Sequence, residues 1–305
     1  MSLSSITRSL SSKIESKVDK YLKKIEFEHK QVFPNIPKKF SDFNRVIGLP
    51  SLPESPGRVF SYQVEIDDAI NKHHRIIINK SRKIGVTETV LRSIAKNCFS
   101  RYAGFNVMIV AGNRQKQAED TLSRFAKLFH KGFTDLDGVK FQYRDIIKRK
   151  TKSELVFFND TKVSIYPANA EALRGPERVI CVFFDEAAHV KQLDDSKVYD
   201  ALKPNLANTN GDFIIVSTPN GKRGIFYDLW QGNDFSKLEI PYTKALGGLL
   251  SKDLIDREKK DTRIDFEQEY NVKFTTSLTS AFDEDIVNEI YQPKKVTDYS
   301  DILGK

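Results

Sequence analysis

Cysteine is nearly absent: the 305 residues contain two, Cys98 within "IAKNCF" and Cys181 within "VICVFF". Two isolated thiols in apolar runs exclude a disulfide framework and a cysteine-rich zinc site, and they read as buried groups in a reducing compartment. Long hydrophobic runs are missing too. The longest unbroken apolar stretches are about six residues, against roughly 20 for a bilayer-spanning helix, so no transmembrane segment is expected. The N-terminus "MSLSSITRSLSSKIESKVDKYLKK" has no hydrophobic stretch of the secretory kind, and Glu15 and Asp19 argue against an organelle transit peptide. It reads as a polar tail running into an amphipathic helix. No internal repeat is present.

What is there is a globular composition with a basic balance. Hydrophobic residues make up 39% of the chain, enough for the core of one large domain or two modest ones. Lys and Arg outnumber Asp and Glu by 49 to 41, a net charge of +8, which fits a polyanionic partner such as nucleic acid without requiring one.

The first 60 residues or so are polar and then proline-punctuated ("VFPNIPKKF", "GLPSLPESPG"), which predicts a helical arm joined by an extended segment to a main body. Beyond them, short β-branched runs alternate with helical periodicity, the pattern of parallel βαβ units. "RIIIN" (75–79) is the first strand; after a loop, Val86, Val90, Leu91, Ile94, Cys98 and Tyr102 recur at helical spacing. "NVMIVAG" (106–112) is a second strand, followed by a helix with Ala118, Leu122, Phe125 and Phe129 on one face. "SELVFFNDTKVSIYPA" reads as a hairpin turning at Asn159 and Asp160. "RVICVFF" is apolar on both faces, hence a central strand, and "DFIIVS" (212–217) is another buried one. The remainder predicts an edge strand, one charged helix ("SKDLIDREKKDTRIDFEQEY") and loops.

Three motifs fall at the carboxyl ends of these strands, where open parallel sheets bind ligands. The first is "KSRKIGVTE", Lys80 to Glu88. A phosphate loop needs a glycine for close approach, amides at a helix N-terminus, a hydroxyl for Mg²⁺ and a cation for the phosphates. Gly85 and Thr87 fall correctly in that frame, whereas Val86 takes the usual lysine position. Lys80, Arg82 and Lys83 remain as replacement cations, and Lys80, opening the loop directly after the strand, is the best placed. The second motif is Asp185-Glu186, ending the central strand. Two carboxylates there are costly unless used, Asp185 to hold Mg²⁺ and Glu186 to polarise water. A helix cap is the plainer alternative, but it explains neither of the other motifs. The third is "STPNG", Ser217 to Gly221. His189, in "DEAAHV", reads as a helix-surface residue.

These residues resemble the ATPase domain of large terminase subunits, motors that package double-stranded DNA into tailed-virus capsids. The family's S-R-x-x-G-x-T loop (Walker A) is matched by Ser81, Arg82, Gly85 and Thr87, and its aromatic-Gln pair by Tyr62 and Gln63. Its R-G pair before a strand ending D-E-A-A (Walker B) is matched by Arg174, Gly175 and Asp185 to Ala188, and its coupling motif by Ser217, Thr218, Pro219, Asn220 and Gly221. Val86 departs from the common form, but some members, lambda-like ones among them, carry the lysine at the front, and "KSRKIGVT" is similar to that variant.

The resemblance implies a P-loop NTPase of the ASCE, RecA-like type, with a central, mainly parallel sheet flanked by helices and a small helical N-terminal arm. It implies ATP bound by Tyr62, Gln63 and the loop Lys80, Ser81, Arg82, Lys83, Ile84, Gly85, Val86, Thr87 and Glu88. Mg²⁺ would sit on Thr87 and Asp185, Glu186 would be catalytic, and Arg82 would stand at the γ-phosphate in cis. The expected organisation is an arm and linker (1–59), an ATPase core (60–235) and a lid or linker (236–305) toward a nuclease domain that this chain lacks; Asp283, Glu284 and Asp285 read as a solvated helix start rather than a metal cluster. Expected partners are duplex DNA, a capsid portal and a small terminase subunit, in a homo-oligomeric ring built from a chain monomeric in isolation, in the cytoplasm of an infected host cell and without membrane contact. Lys148, Arg149 and Lys150 in "RDIIKRKTK", and Lys222 and Arg223 in "GKRG", are candidate DNA-phosphate contacts, although a solvated hairpin edge accounts equally well for the first three. Two competitors stay open: a DEAD/DEAH-type helicase, suggested by "DEAAH", for which the chain after Gly221 is short of a second lobe, and a non-hydrolysing nucleotide-gated scaffold, suggested by Val86.

Overall fold

The computed structural model describes residues 17, 33–49, 51–52, 55–56, 58–190 and 195–275. The expected N-terminal amphipathic helix and the acidic run at 283–285 lie outside these residues.

Eight strands form one sheet: β1 (Arg75–Lys80), β2 (Asn106–Ala111), β3 (Ile147–Lys150), β4 (Glu154–Phe157), β5 (Lys162–Tyr166), β6 (Val179–Asp185), β7 (Asp212–Ser217) and β8 (Ser236–Ile240). Their order is β8-β1-β7-β6-β2-β5-β4-β3. The first six in that order are parallel, and β4 and β3 extend the sheet as antiparallel strands. β5 and β4 form the expected hairpin, with Asp160 at its turn in the left-handed region (φ 60).

Apolar residues on the central strands alternate between two cores, as the period of two dictates. Ile76, Ile78, Val107, Ile109, Phe183 and Ile214 face one side, where they pack with α1 (Phe40–Ile47), α2 (Ser61–Lys72), α3 (Val86–Cys98) and α4 (Gln115–Lys127). Ile77, Met108, Val110, Val182, Phe184 and Ile215 face the other, under α5 (Ser196–Leu202) and α6 (Gly224–Gln231). A run apolar on both faces is therefore what β6, buried between β7 and β2, requires. Both cysteines are buried, and no helix among the described residues is long and apolar enough to cross a membrane.

Two expectations need correction. Part of the segment read as an extended linker is α1, and it docks on the core: Arg92 of α3 donates to Asn44 Oδ1 (2.8 Å) and to Gly48 O (2.9 Å). The charged helix is two helices, α7 (Lys252–Lys260) and α8 (Phe266–Glu269). Asp261 stops the first, drawing in the Arg263 amide (3.1 Å) and guanidinium (2.7 Å), and Asp265 caps the second by accepting from Gln268 N (3.0 Å). Short acidic side chains bonded to nearby backbone compete with helix continuation, and periodicity alone does not register that.

A buried ion pair ties α2 to α3. Lys96 Nζ donates to Asp67 Oδ2 (2.5 Å) and to Lys38 O (3.0 Å), and Ser93 Oγ donates to Asp67 Oδ1 (2.6 Å). Replacing Asp67 with Ala strands a buried ammonium, so urea unfolding is expected to register a loss of about 3 to 5 kcal/mol. A loss below about 1 kcal/mol would mean that Lys96 finds water instead.

Candidate nucleotide site

β7 lies between β1 and β6, and the ends of the three strands are in register. Ser217 pairs with Asn79, and Val216 with Asp185. The loops after these strands therefore open side by side on a cavity of about 440 Å³ lined by Lys80, Arg82, Lys83, Asp185, Glu186, His189, Thr218 and Glu269. Three cations and three carboxylates meet there.

The loop after β1 passes through the left-handed region at Lys83 (φ 56) and Gly85 (φ 73), which turns it onto the N-terminus of α3. Ile84 and Val86 are buried in the core. The position that carries lysine in the common loop is thus used for packing, and the cations flank it. Lys80 Nζ lies 2.7 Å from Glu186 Oε1, and its side chain is 9% exposed. Thr87 Oγ1 donates to Asp185, 3.1 Å from Oδ1 and 3.0 Å from Oδ2. Two oxygen ligands of the kind that hold Mg²⁺ therefore converge, a hydroxyl and a carboxylate. No cluster of three or more His, Cys, Asp or Glu suited to a metal is found among the described residues, which is compatible with Mg²⁺, an ion that takes few protein ligands and completes its shell with phosphate and water.

Burial, and after it the neighbouring Glu186, pushes the Asp185 carboxyl up to about 6. Glu269 is raised as well, chiefly by burial. Arg82 Nε stands 3.4 Å from Glu269 Oε2, an ion pair rather than a hydrogen bond, and that buried oxygen has no donor. The chain around α8 also fastens the site from behind: Arg82 N donates to Glu269 O (3.1 Å), Gly221 N to Gln268 Oε1 (2.7 Å) and Asn79 Nδ2 to Val272 O (2.7 Å).

Of the other expected nucleotide residues, Ser81 is buried and its amide donates to Ile240 O of β8 (2.8 Å), while Glu88 accepts from Arg92 (2.8 Å). Tyr62 is buried, and its hydroxyl donates to Ile84 O (2.6 Å), so it braces the loop from beneath. Gln63 Oε1 accepts from Phe60 N (3.0 Å). Gln63 lines a second, mostly apolar cavity of about 230 Å³ with Phe60, Arg58, Gly85, Leu249 and Lys83, the last shared with the first cavity. The aromatic rings lining that space are Phe40 and Phe60, not Tyr62. Arg174 is exposed in the loop before β6, outside both linings.

Ser217, Thr218 and Pro219 are buried, and Ser217 Oγ accepts from Ala188 N (3.1 Å). His189 departs from expectation. It is no surface residue: its Nε2 lies 2.6 Å from Thr218 Oγ1 and its ring lines the cavity. The sequence signal, a histidine three residues after the acidic pair, was available but carried no direction. Lys148 and Arg149, on edge strand β3, are engaged in ion pairs with Asp160 and Glu154. Lys150 is exposed on the same strand, and Arg223 is exposed beside Lys222 after β7.

The family described as "Terminase large subunit, T4likevirus-type, N-terminal" matches residues 77–289. The chain belongs to this family. No curated protein matches it. Among solved structures, it resembles a point mutant of the large terminase ATPase domain of Thermus phage P74-26 (19% identity, TM-score 0.51, covering 76% of this chain and 98% of that one). It also resembles the HK97 bacteriophage large terminase (18%, 0.56, 79% and 53%). A third is the large terminase of a thermophilic bacteriophage in complex with ADP (13%, 0.55, 71% and 53%). At these identities the structures establish the fold, a P-loop α/β sheet flanked by helices. This terminase chain spans about half the length of the last two proteins. The family match decides against the helicase reading.

The raised Asp185 fixes a sign for pH dependence. Its native pKa lies above the unfolded value of 3.8, so protonation favours the folded state; this contribution is complete below pH 3.8 and is lost as pH rises through about 6. Without nucleotide or divalent ions, unfolding free energy is expected to fall from pH 5 to 7.5 by more in the parent than in Asp185→Asn. Equal changes in the two proteins would contradict the buried-carboxylate account.

Proposed function

We propose that this chain binds Mg·ATP in the cavity at the ends of β1, β6 and β7 and hydrolyses it to drive duplex DNA into a capsid. The observation that carries the reading is the pairing, within one cavity, of the loop after β1 with the acid pair after β6, Thr87 to Asp185 and Lys80 to Glu186. Lys80 and the amides at the start of α3 would hold the phosphates. Thr87 and Asp185 would hold Mg²⁺, which when bound neutralises phosphate charge. Glu186 orients the attacking water and draws off its proton as the water oxygen bonds to the γ-phosphorus and the bond to ADP breaks. Arg82, freed from Glu269, would meet the charge that builds on the γ-phosphate. The apolar cavity beside Gln63 and Phe60 suits the base. Ser217 to Gly221, bonded to both Ala188 and Gln268, is placed to pass loss of the γ-phosphate onward to the surface that grips DNA.

Steady-state Mg²⁺-dependent ATP turnover tests the scheme. Glu186→Gln is expected to lose about 10²- to 10⁴-fold in kcat while still binding nucleotide, and Lys80→Ala to lose binding as well. A parent that binds ATP without turnover would favour the gated scaffold instead.

Domain boundaries at 59 and 235 are retained as working limits, although β8 lies beyond the second and within the same sheet. Lys222 and Arg223, at the end of the sheet where the cavity opens, are the first candidates for DNA phosphates. Lys148, Arg149 and Lys150 come second because they lie on β3, the edge strand at the opposite end of the sheet from β8 and β1. Ring assembly on a portal, a small-subunit partner and action in the host cytoplasm are proposed by analogy with the family. Replacing Lys222 and Arg223 with Ala is expected to lower the salt slope of duplex binding by about two, roughly one per phosphate contact. An unchanged slope would remove this surface from consideration.

A further inference from the structure

The hydrolytic scheme leaves His189 unused, although its ring lines the phosphate cavity beside Lys80, Asp185, Glu186 and Thr218. Its place follows from the backbone. Glu186 is left-handed (φ 54), and a single 3₁₀ turn, Ala187–His189, follows it, closed by His189 N donating to Glu186 O (2.9 Å). The turn brings the imidazole and the Glu186 side chain to the same cavity.

The turn is already held from both neighbouring strands. On the β7 side, Ala188 N donates to Ser217 Oγ (3.1 Å) and Asn220 Nδ2 to Ala188 O (2.9 Å); on the β2 side, Asn113 Nδ2 donates to His189 O (2.9 Å). The backbone thus has its anchors without help from the ring. The ring instead contacts the hydroxyl of Thr218, a residue 4% exposed. Burial pushes the imidazole below its usual pKa, which favours the neutral ring, with one N–H and one lone pair to offer. A threonine hydroxyl has several staggered positions to choose from, and a 2.6 Å contact with a fixed ring selects one of them.

We propose that His189 is a positioning residue for ATP hydrolysis, its ring holding the Thr218 hydroxyl, and with it the Ser217–Gly221 turn, in register with the carboxylate of Glu186. The proposal rests on the hydrolytic reading above and extends it. Thr218 belongs to the turn whose Gly221 amide is bonded to Gln268, so the His189 contact joins the water-activating segment to the segment that responds when the γ-phosphate leaves.

The test is steady-state ATP turnover, Mg·ATP binding and thermal unfolding of the full chain carrying His189→Ala, His189→Gln, Thr218→Val, or His189→Ala with Thr218→Val. His189→Ala is expected to lower kcat about tenfold, the scale of one well-placed hydrogen bond, with KM for ATP and the thermal midpoint close to those of the parent. His189→Gln, whose amide reaches the position of Nε2, is expected to recover most of the loss. The double variant is expected to be no slower than the slower single variant, because both remove one shared contact. An active parent whose kcat is indifferent to His189→Ala would sink the proposal and leave the hydrolytic reading standing. So would a loss in His189→Ala that Gln does not recover and that comes with a lower thermal midpoint, the mark of packing alone. A parent that binds ATP without turnover would overturn both readings together.

Discussion

A carboxylate at the dry end of an apolar strand is the constraint around which the site is arranged. Asp185 closes β6 after six residues that serve the two cores, and burial raises its affinity for a proton. A charge so placed needs a hydroxyl, a cation or a metal nearby, because desolvation without compensation costs several kcal/mol. The sheet order supplies these neighbours. With β7 between β1 and β6, the loop after β1 can bring Thr87 to Asp185 and Lys80 to Glu186 while the turn after β7 brings Thr218 to the same cavity.

The same arrangement places Val86 in the core and Lys80 at the cavity. Val86 begins α3 with its side chain in the core, braced from below by Tyr62 through Ile84. Lys80 is the last residue of β1, and its ammonium enters the cavity from the end of a strand paired on both edges. Asn79, its neighbour, bonds instead to Val272. Alternation along a strand therefore divides the two residues, one toward the cavity and one toward the C-terminal segment that backs the site.

Electrostatic balance inside the cavity is close, with Lys80, Arg82 and Lys83 opposite Asp185, Glu186 and Glu269. Both side chains proposed to meet phosphate are already engaged with a carboxylate, Lys80 with Glu186 and Arg82 with Glu269. A triphosphate entering with Mg²⁺ would exchange those partners rather than meet bare cations, a smaller net gain per contact but a larger rearrangement. Glu269 brings the C-terminal segment into that exchange, because its own backbone carbonyl is bonded to Arg82.

Much of this was legible in the amino-acid sequence. Strand periodicity located β1, β2, β6 and β7 to within a residue or two, and the motifs at the ends of β1, β6 and β7 do meet around one cavity, because strand ends in a parallel sheet are where such groups are exposed to a ligand. The sequence also showed that the usual loop cation is missing, since Val86 cannot carry charge, and that Lys80, Arg82 and Lys83 stand within the same loop. Other features depended on contacts between residues far apart in the chain. Helical periodicity did not reveal that Asp261 and Asp265 would break the charged helix, nor that Phe40–Ile47 would dock through Asn44 on Arg92. Residue type did not reveal that Tyr62 would be buried beneath the loop, that Glu269 would enter the cavity or that His189 would face Thr218. The order of residues determines which groups a chain carries and which local elements hold them. Which groups meet was decided by strand order and by a left-handed turn at Glu186, because only packing brings distant segments within hydrogen-bond reach.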